Sequence, residues 1–289
     1  MRLDWLESFV AFAETRNFTH AAARLHVSQP ALHVQIRKLG DDLGVTLYTR
    51  NGRALELTDE GRRVEAFARS MTGQVDEFRR MLAGEAERAP VIVSAGRATH
   101  LYLLAEPLRS WVLDGSRRIQ LRAETREETV DALLAGRAHV GVAPLDTVPL
   151  SIESRPIGTF GTLCVLPPDH PLAKRRRLRV ADLDGCRLVL PPSDRPHHAT
   201  VVAALREAGA RADVVIEAGG WELMTHYASL GLGVAVVNAI VPVPSGVRAV
   251  PLQGLPRITY HALLARGRLA STDARALFEH LVASRRHRD

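Results

Sequence analysis

Apolar side chains recur at helical spacing from the start of the chain. They fall every three or four residues over 3–15, which predicts an amphipathic helix there. Thr19 is a predicted N-cap for a short second helix over 20–25, and the pair His26-Val27 predicts a tight turn after it. Consecutive alanines in the second helix would permit close approach to a neighbouring helix.

The third predicted helix has a polar outer face. Ser28 is its predicted N-cap, and Pro30 lies in its first turn, where a missing backbone N–H does no harm. The polar residues expected on the outer face are Gln29, His33, Gln35, Arg37 and Lys38. A short helix, a tight turn and a helix with a polar face together predict a helix-turn-helix, whose second helix suits the major groove of DNA.

A hairpin is predicted directly after the third helix. Asn51-Gly52 separates two strand-like runs, and this pair is a strong hairpin signal because a type I′ turn needs two positive φ angles. A hairpin at this position is a wing. Arg50 and Arg53 flank its tip, where they would reach phosphates or a narrow minor groove. Residues 1–58 are therefore predicted to form an all-α winged helix-turn-helix.

One long helix is predicted next, capped by Thr58. Its apolar residues alternate at spacings of four and three, as in a heptad seam, and are Val64, Ala68, Met71, Val75, Phe78 and Leu82. Residues 59–84 are therefore predicted to be a linker helix that pairs two subunits. The alternative is a helix packed on its own domain. Residues 85–90 are predicted to be a hinge.

Beyond the hinge, short apolar strands alternate with helical segments, a pattern typical of parallel sheets covered by helices. The pattern occurs twice, which predicts a C-terminal α/β effector domain over 91–289 with two lobes, like a periplasmic binding protein. Lobe one is assigned to about 91–155 and 257–289, and lobe two to about 156–256.

A cleft between two such lobes would bind a small molecule beyond the carboxyl ends of strands and against helix N-termini. Arg97 and Arg195 would pair an anionic group, and for Trp221 core packing and cleft lining are equally open. The predicted effector-binding residues are Arg97, Thr99, His100, Thr125, Ser193, Arg195, His197 and Trp221.

Composition adds a caution about charge. The formal net charge is +6, but residues 1–89 carry equal numbers of basic and acidic residues, so global basicity is no argument for DNA binding. No apolar run is long enough to span a bilayer, and the N-terminus lacks a signal-peptide pattern. A cytoplasmic protein without membrane contact is the expectation.

Several features keep two interpretations. Cys164 and Cys186 would form either a redox switch or inert thiols, and the apolar surroundings of Cys164 favour the latter. The basic run 174–179 is either a nucleic-acid patch or a solvated loop. No metal is expected at the histidines, since no carboxylate or ligand spacing accompanies them. No cofactor and no catalytic motif are predicted.

The run FTHAAARLHVSQPAL at 18–32 and the run LTDEG at 57–61 resemble the LysR-type transcriptional regulators. Weaker similarities lie at 133–136, 169–173 and 231–235, so the resemblance extends over the whole chain.

That resemblance implies dimers of dimers on DNA, control by an effector, and frequent regulation of an adjacent divergent gene. It implies base or backbone contacts at Ser28, Gln29, Pro30, Ala31 and Arg53. Three positions depart from the family pattern. His33 replaces a small hydroxyl residue, Val34 an arginine, and Gly40 an acidic residue. The first two would alter operator preference, and Gly40 would end the third helix early.

The leading hypothesis is a sequence-specific, DNA-binding transcription regulator controlled by a small anionic metabolite. Paired bonds from Gln29 to adenine are expected in its major-groove contact, and for Gln35 such bonds and a solvated side chain are equally open. Its predicted partners are a double-stranded operator, the effector and further copies of itself, with RNA polymerase as an additional candidate. The alternatives are a two-lobed solute-binding protein, which would need export, and an α/β enzyme.

Overall fold

The computed structural model describes residues 1–52, 54–82, 89–115, 117–145, 147–267, 271–284 and 286–288. Its N-terminal part comprises α1 (Leu3–Thr15), α2 (Phe18–Arg24), α3 (Gln29–Leu43), β1 (Tyr48–Asn51), β2 (Ala54–Leu57) and α4 (Asp59–Leu82). The order of these elements is that of a winged helix-turn-helix followed by a long helix, as predicted.

The start of α2 differs from the prediction. Asn17, not Thr19, is the N-cap, and its side-chain oxygen accepts the N–H groups of Thr19 at 2.9 Å and His20 at 3.1 Å. An asparagine two residues earlier offers the same oxygen chemistry as threonine, so the pattern alone did not separate them. The turn after α2 is made by His26 with a φ of 54°.

Gly40 does not end α3, contrary to the prediction. The helix continues to Leu43 and closes on Gly44, whose φ is 67°. Gly40 is buried, and a Cβ there would lie 2.9 Å from the carbonyl oxygen of Val45. Gly40 is therefore required because the backbone of Val45 passes close to it, and it does not mark the end of the helix.

The wing forms as an antiparallel hairpin, but its turn is shifted by one residue. Asn51 pairs with Ala54 as the last strand residue, so the turn begins at Gly52 and not at Asn51. Gly52 has a φ of 61°. Arg53, a predicted DNA contact, lies outside the described residues.

The predicted dimer seam on α4 divides into two parts. Ala68 is fully buried in the core of the N-terminal domain, and Val64 and Met71 pack against that core. The assignment of Ala68 to a subunit interface is therefore wrong, because α4 packs on α1 along its first half. The assignments of Val64 and Met71, which are half-buried, stay predictions. Phe78 and Leu82 remain 47% and 73% exposed, and Val75 is half-buried.

Glu14 ties the helices of the domain together. Its carboxylate pairs with Arg24 of α2 and Arg69 of α4, and Arg69 also bonds Glu65 at 2.7 Å. Burial raises the pKa of Glu14, but the hydrogen bonds and positive charges of Arg69 and Arg24 outweigh it and lower the pKa below its ordinary value of 4.5.

We expect Glu14→Gln to reduce the free energy of unfolding of the N-terminal domain by about 1–2 kcal/mol at pH 7, because two arginines lose their charged partner. Since the folded-state pKa is lowered, this contribution is present above pH 4.5 and is lost as the pH falls through the folded pKa. Chemical denaturation at pH 7 and at pH 3 measures both effects. Glu56→Gln, on the exposed wing strand β2, is the matched control. A pH-independent difference would contradict the assignment.

The C-terminal part comprises β3 (Val91–Ala95), α5 (Ala105–Leu113), β4 (Ile119–Ala123), α6 (Arg126–Leu134), β5 (Val140–Pro144), β6 (Ile152–Phe160), β7 (Thr162–Leu166), β8 (Leu178–Arg179), β9 (Arg187–Leu190), α7 (Pro196–Glu207), β10 (Asp213–Glu217), α8 (Trp221–Ser229), β11 (Val234–Asn238), β12 (Arg248–Gln253), β13 (Ile258–Ala265), α9 (Thr272–Ala283) and β14 (Arg286–Arg288). A π-helical turn, Thr99–Leu104, precedes α5.

These strands form two sheets. The described strands of lobe one run in the order β14-β6-β13-β5-β3-β4, and those of lobe two in the order β10-β9-β11-β7-β12-β8. The predicted boundary at 155/156 is wrong, because β6 continues to Phe160 in the lobe-one sheet and pairs with β13. The chain passes into lobe two at Gly161, whose carbonyl oxygen accepts the N–H of Ala239 from the returning chain. No helix among the described residues has the length and apolar character needed to cross a membrane.

Candidate DNA interface and effector cleft

The exposed side of α3 carries most of the predicted DNA contacts. Ser28 caps the helix, its hydroxyl oxygen accepting the Ala31 N–H at 3.3 Å. The side chain of Gln29 is exposed, and its amide oxygen accepts a hydrogen bond from the Thr19 hydroxyl at 3.2 Å. Gln29 is thereby positioned by α2 at the N-terminal end of α3. The other exposed predicted contacts on α3 are Pro30, Ala31, His33, Arg37 and Lys38.

Two predicted contacts have partners inside the domain. The ring of His33 lies 4.9 Å from that of Phe18, and its Nε2 is 3.2 Å from the Tyr48 hydroxyl on the wing. The amide oxygen of Gln35 accepts the Ser8 hydroxyl of α1 at 2.6 Å. Both side chains brace α3 at its flanks, and neither lies in the middle of its outer face.

The wing is held against the helices by aromatic packing. The ring of Phe12 lies 4.4 Å from Phe18 and 5.0 Å from Tyr48, so one cluster joins α1, α2 and β1. Arg50 donates from Nε to the Gly52 carbonyl at 3.1 Å and is exposed near the tip of the wing. α3 and the wing therefore form one rigid surface with cationic side chains at its edge.

A cleft of about 460 Å³ lies between the two lobes. Four of the predicted effector residues line it, namely Thr125, Arg195, His197 and Trp221. Lobe one also contributes Arg126, Glu127, Pro144, Leu145, Ile258, Thr259 and Tyr260, lobe two contributes Thr162, Pro196 and Thr200, and the connection between β12 and β13 contributes Leu255, Pro256 and Arg257.

The other four predicted effector residues lie outside this lining. Thr99 is 5% exposed in the π-helical turn, and Arg97 is exposed beside it. His100 bonds the Arg122 carbonyl at 2.9 Å, which directs it toward the edge strand β4. Ser193 is exposed, with its N–H donating to Glu217 at 3.3 Å. For Arg97, Thr99 and His100, a position after a strand was not sufficient, because β3 leads into a π-helical turn and not directly into a regular α-helix.

Positive charge enters the cleft from both lobes. Arg195 precedes α7 with its side chain half-exposed, while Thr125 caps α6 opposite it. Hydrogen bonds from the backbone and side chain of Thr125, with the charge of Arg195, lower the pKa of Glu128. For Glu127, a bond to its own backbone, the Arg126 side chain and the Arg195 charge lower the pKa. Arg195 therefore acts electrostatically across the cleft.

Arg126 and Arg257 also line the cleft and were missed by the sequence analysis. Arg126 donates to Glu127 at 2.9 Å, and Arg257 donates to the Thr159 carbonyl at 3.3 Å. Arg257 reaches the site only because the chain crosses between lobes beside it, and no local sequence signal marks that crossing.

An aromatic pair forms one wall. The rings of His197 and Trp221 lie 5.1 Å apart at 89°, and His197 Nε2 donates to the Val236 carbonyl at 3.0 Å. Burial lowers the pKa of His197, so the ring is neutral at pH 7. Trp221 packs against the cores of both lobes and also lines the cleft, so both interpretations of this residue hold.

The lobes are also joined directly. The Tyr102 hydroxyl, in the π-helical turn of lobe one, donates to Glu222 at 3.1 Å, one residue after Trp221. Any movement of lobe two relative to lobe one would therefore strain this bond beside the cleft.

Cys164 is fully buried and Cys186 is half-buried, and both are free thiols. Burial raises the pKa of both, and the charge of Asp184 raises that of Cys186 further. These thiols are unreactive in this conformation.

In lobe two, Arg175 of the basic run pairs with Asp182 at 2.9 Å. Across the described residues, no group of three histidine, cysteine or acidic side chains is arranged to hold a metal ion.

Two family models match the chain. The model described as a bacterial regulatory helix-turn-helix protein of the lysR family matches residues 3–62, and the LysR substrate binding domain matches residues 115–286. The second match alone covers more than half of the chain.

The chain belongs to the LysR family. It is a DNA-binding transcriptional regulator with a C-terminal effector-binding domain, and the solute-binding and enzyme alternatives are not favoured, because its relatives are regulators. The transcriptional regulator CatR of Pseudomonas putida is 32% identical over 83% of this chain and 84% of CatR. The dual regulator OxyR of Escherichia coli K12 is 29% identical over 84% of this chain and 81% of OxyR.

Solved LysR-family structures share the fold. A cysteine variant of full-length OxyR from Pseudomonas aeruginosa has a TM-score of 0.72 at 25% identity, covering 98% of this chain and 94% of that one. CbnR has a TM-score of 0.66 at 23% identity, covering 99% and 100%. Another structure contains full-length CbnR with its target DNA, with a TM-score of 0.57 over 98% of this chain and 99% of CbnR.

Proposed function

We propose that this regulator reads its operator with the exposed side of α3 in the major groove, while the wing contacts the adjacent backbone. The observation that carries this proposal is the placement of Gln29, exposed at the first turn of α3 and held by Thr19. Arg37, Lys38 and Arg50 would contact phosphates, because they lie exposed at the margins of the same surface.

An exposed apolar stripe on α4 supports self-association. Phe67, Phe78 and Leu82 are 44%, 47% and 73% exposed, and helical geometry places them along one stripe with Val75. Burying that stripe against a second copy would form the dimer, and dimers would pair into tetramers on DNA. The remaining proposed partner is RNA polymerase at the regulated promoter, and the proposed location is the cytoplasm, where that promoter lies.

The proposed effector is a small anionic metabolite bound in the cleft. In the cleft, Arg195 supplies positive charge, Thr125 and the α6 N-terminus supply hydrogen-bond donors, and Trp221 supplies an apolar wall. Closure of the lobes around such a ligand would change their relative orientation and thereby the placement of the DNA-binding domains.

Footprinting on the DNA upstream of its own gene tests the regulatory function. We expect protection of an inverted repeat whose half-sites are about 10 base pairs or a multiple apart, with affinity that falls steeply as salt rises. Protection without sequence preference at every salt concentration would refute the proposal.

Gln29→Ala is expected to weaken binding to the footprinted operator by about 1–3 kcal/mol while leaving affinity for unrelated DNA unchanged, since a bidentate contact with adenine is lost. Fluorescence anisotropy on both duplexes provides the comparison. Gln253→Ala, exposed on β12 of lobe two, is the control. Equal weakening on both duplexes would assign Gln29 to phosphate contact instead.

A further inference from the structure

The middle of the outer face of α3 is occupied by an apolar residue. Val34 is 39% exposed and is absent from the core of its domain. On a helix of 3.6 residues per turn it projects about 160–200° away from the buried Leu32 and Ile36. One turn before it lies Pro30 and one turn after it Lys38, and both are exposed.

The two polar side chains next to Val34 in the sequence contact other residues of the same domain. His33 contacts Phe18 and the wing residue Tyr48, and Gln35 bonds Ser8 of α1. Neither side chain occupies the centre of the face that would enter the groove. In the second turn of α3, the side chain available to base edges at the centre of the face is therefore a pair of methyl groups.

Single exposed apolar residues are common on protein surfaces and need no special explanation. The position of Val34 distinguishes it, because Arg37 and Lys38 lie one turn further along the same exposed side and would hold the phosphates on either side of it. Within the major groove, the base feature that matches an apolar side chain is the C5-methyl group of thymine.

We propose that Val34 is a specificity-determining residue that contacts a thymine methyl group in each operator half-site. This inference rests on the proposed use of α3 as the reading helix. It adds an apolar contact to the polar contact of Gln29, so that each half-site is read by two chemically different interactions. A hydrogen-bonding side chain at this position would select a different base.

Replacing thymine by deoxyuridine tests the contact directly, since this removes the methyl group and keeps every hydrogen-bonding atom. Each thymine of the footprinted operator is replaced in turn, and the Kd of the full-length protein is measured by anisotropy. We expect one position per half-site at which the replacement weakens binding about three- to tenfold, the range set by burying one methyl group. Val34→Ala should bind both versions of that duplex with nearly equal affinity.

Val112→Ala is the matched control, because Val112 is 42% exposed on α5 of the effector domain. This variant should keep the full deoxyuridine effect. An unchanged deoxyuridine profile in Val34→Ala would overturn the proposal, as would a wild-type protein indifferent to every replacement. Weaker binding of Val34→Ala to all duplexes alike would overturn it too. Absence of any specific footprint would instead refute the proposed function of α3.

Discussion

Gly61→Ala should destabilise the N-terminal domain by about 3 kcal/mol or more, the largest stability effect we expect from a single methyl group. Gly61 is buried in the first turn of α4, and a Cβ there would lie 1.9 Å from the Leu47 carbonyl oxygen. Neither Gly61 nor Leu47 can move easily to relieve this contact, because backbone atoms make it on both sides. Thr58 fixes the same junction by donating its N–H to Leu47 and accepting that of Gly61 at 2.8 Å.

The sign of this effect is itself informative. Alanine in place of glycine inside a helix normally stabilises by about 1 kcal/mol, so destabilisation would report the contact between the wing and α4. Gly219→Ala is the control, since a Cβ at that position meets nothing within 4 Å. Thermal and chemical denaturation supply the comparison. A variant as stable as the wild type would show that the wing and α4 are less closely joined.

Arg195→Gln should abolish stabilisation of the effector domain by small carboxylates. A charge-assisted hydrogen bond is worth about 1.5–3 kcal/mol, which corresponds to a roughly 10- to 100-fold weaker Kd. The probes are benzoate, succinate and citrate, with benzamide as the neutral counterpart of benzoate. We expect the wild type to gain thermal stability with at least one anion and none with benzamide.

Arg206→Gln is the matched control, because Arg206 is exposed near the far end of the same helix, α7. It should retain the response to the anion. Equal responses of the Arg195 variant and the wild type would remove Arg195 from the site. Equal stabilisation by benzoate and benzamide would refute an anionic effector.

Local signals in the sequence were strong in the N-terminal domain. The cap at Ser28 and the proline in the first turn of α3 each specify backbone geometry over a few residues, and the structure places both as expected. Gly52 has the positive φ expected of it, although the turn is shifted by one residue. Local signals did not predict the start of a helix correctly where two side chains able to cap it lay close together in the sequence. Asn17 and Thr19 both offer a capping oxygen, and only the packing of Phe18 between Phe12 and Tyr48 fixed where α2 begins.

Contacts between distant segments were beyond the sequence. Gly61 resembles an ordinary helix-breaking glycine in the sequence, but it is required because the backbone of Leu47 passes within van der Waals distance of it. The heptad pattern of α4 was genuine, yet its first half is buried on α1, since an apolar stripe does not specify whether the covering partner is the same chain or a second copy.

The sequence by itself determined the family through its motifs. It also determined the order of the N-terminal helices and the wing, because capping, turn chemistry and apolar periodicity act over a few residues. The tertiary structure alone decided which side chains meet. It brought Thr125, Arg195, His197 and Trp221 to one cleft, excluded His100, and left Val34 at the centre of the α3 surface. Those outcomes depend on how the lobes cross and on which flanking side chains find partners, and both are set by contacts far apart in the chain.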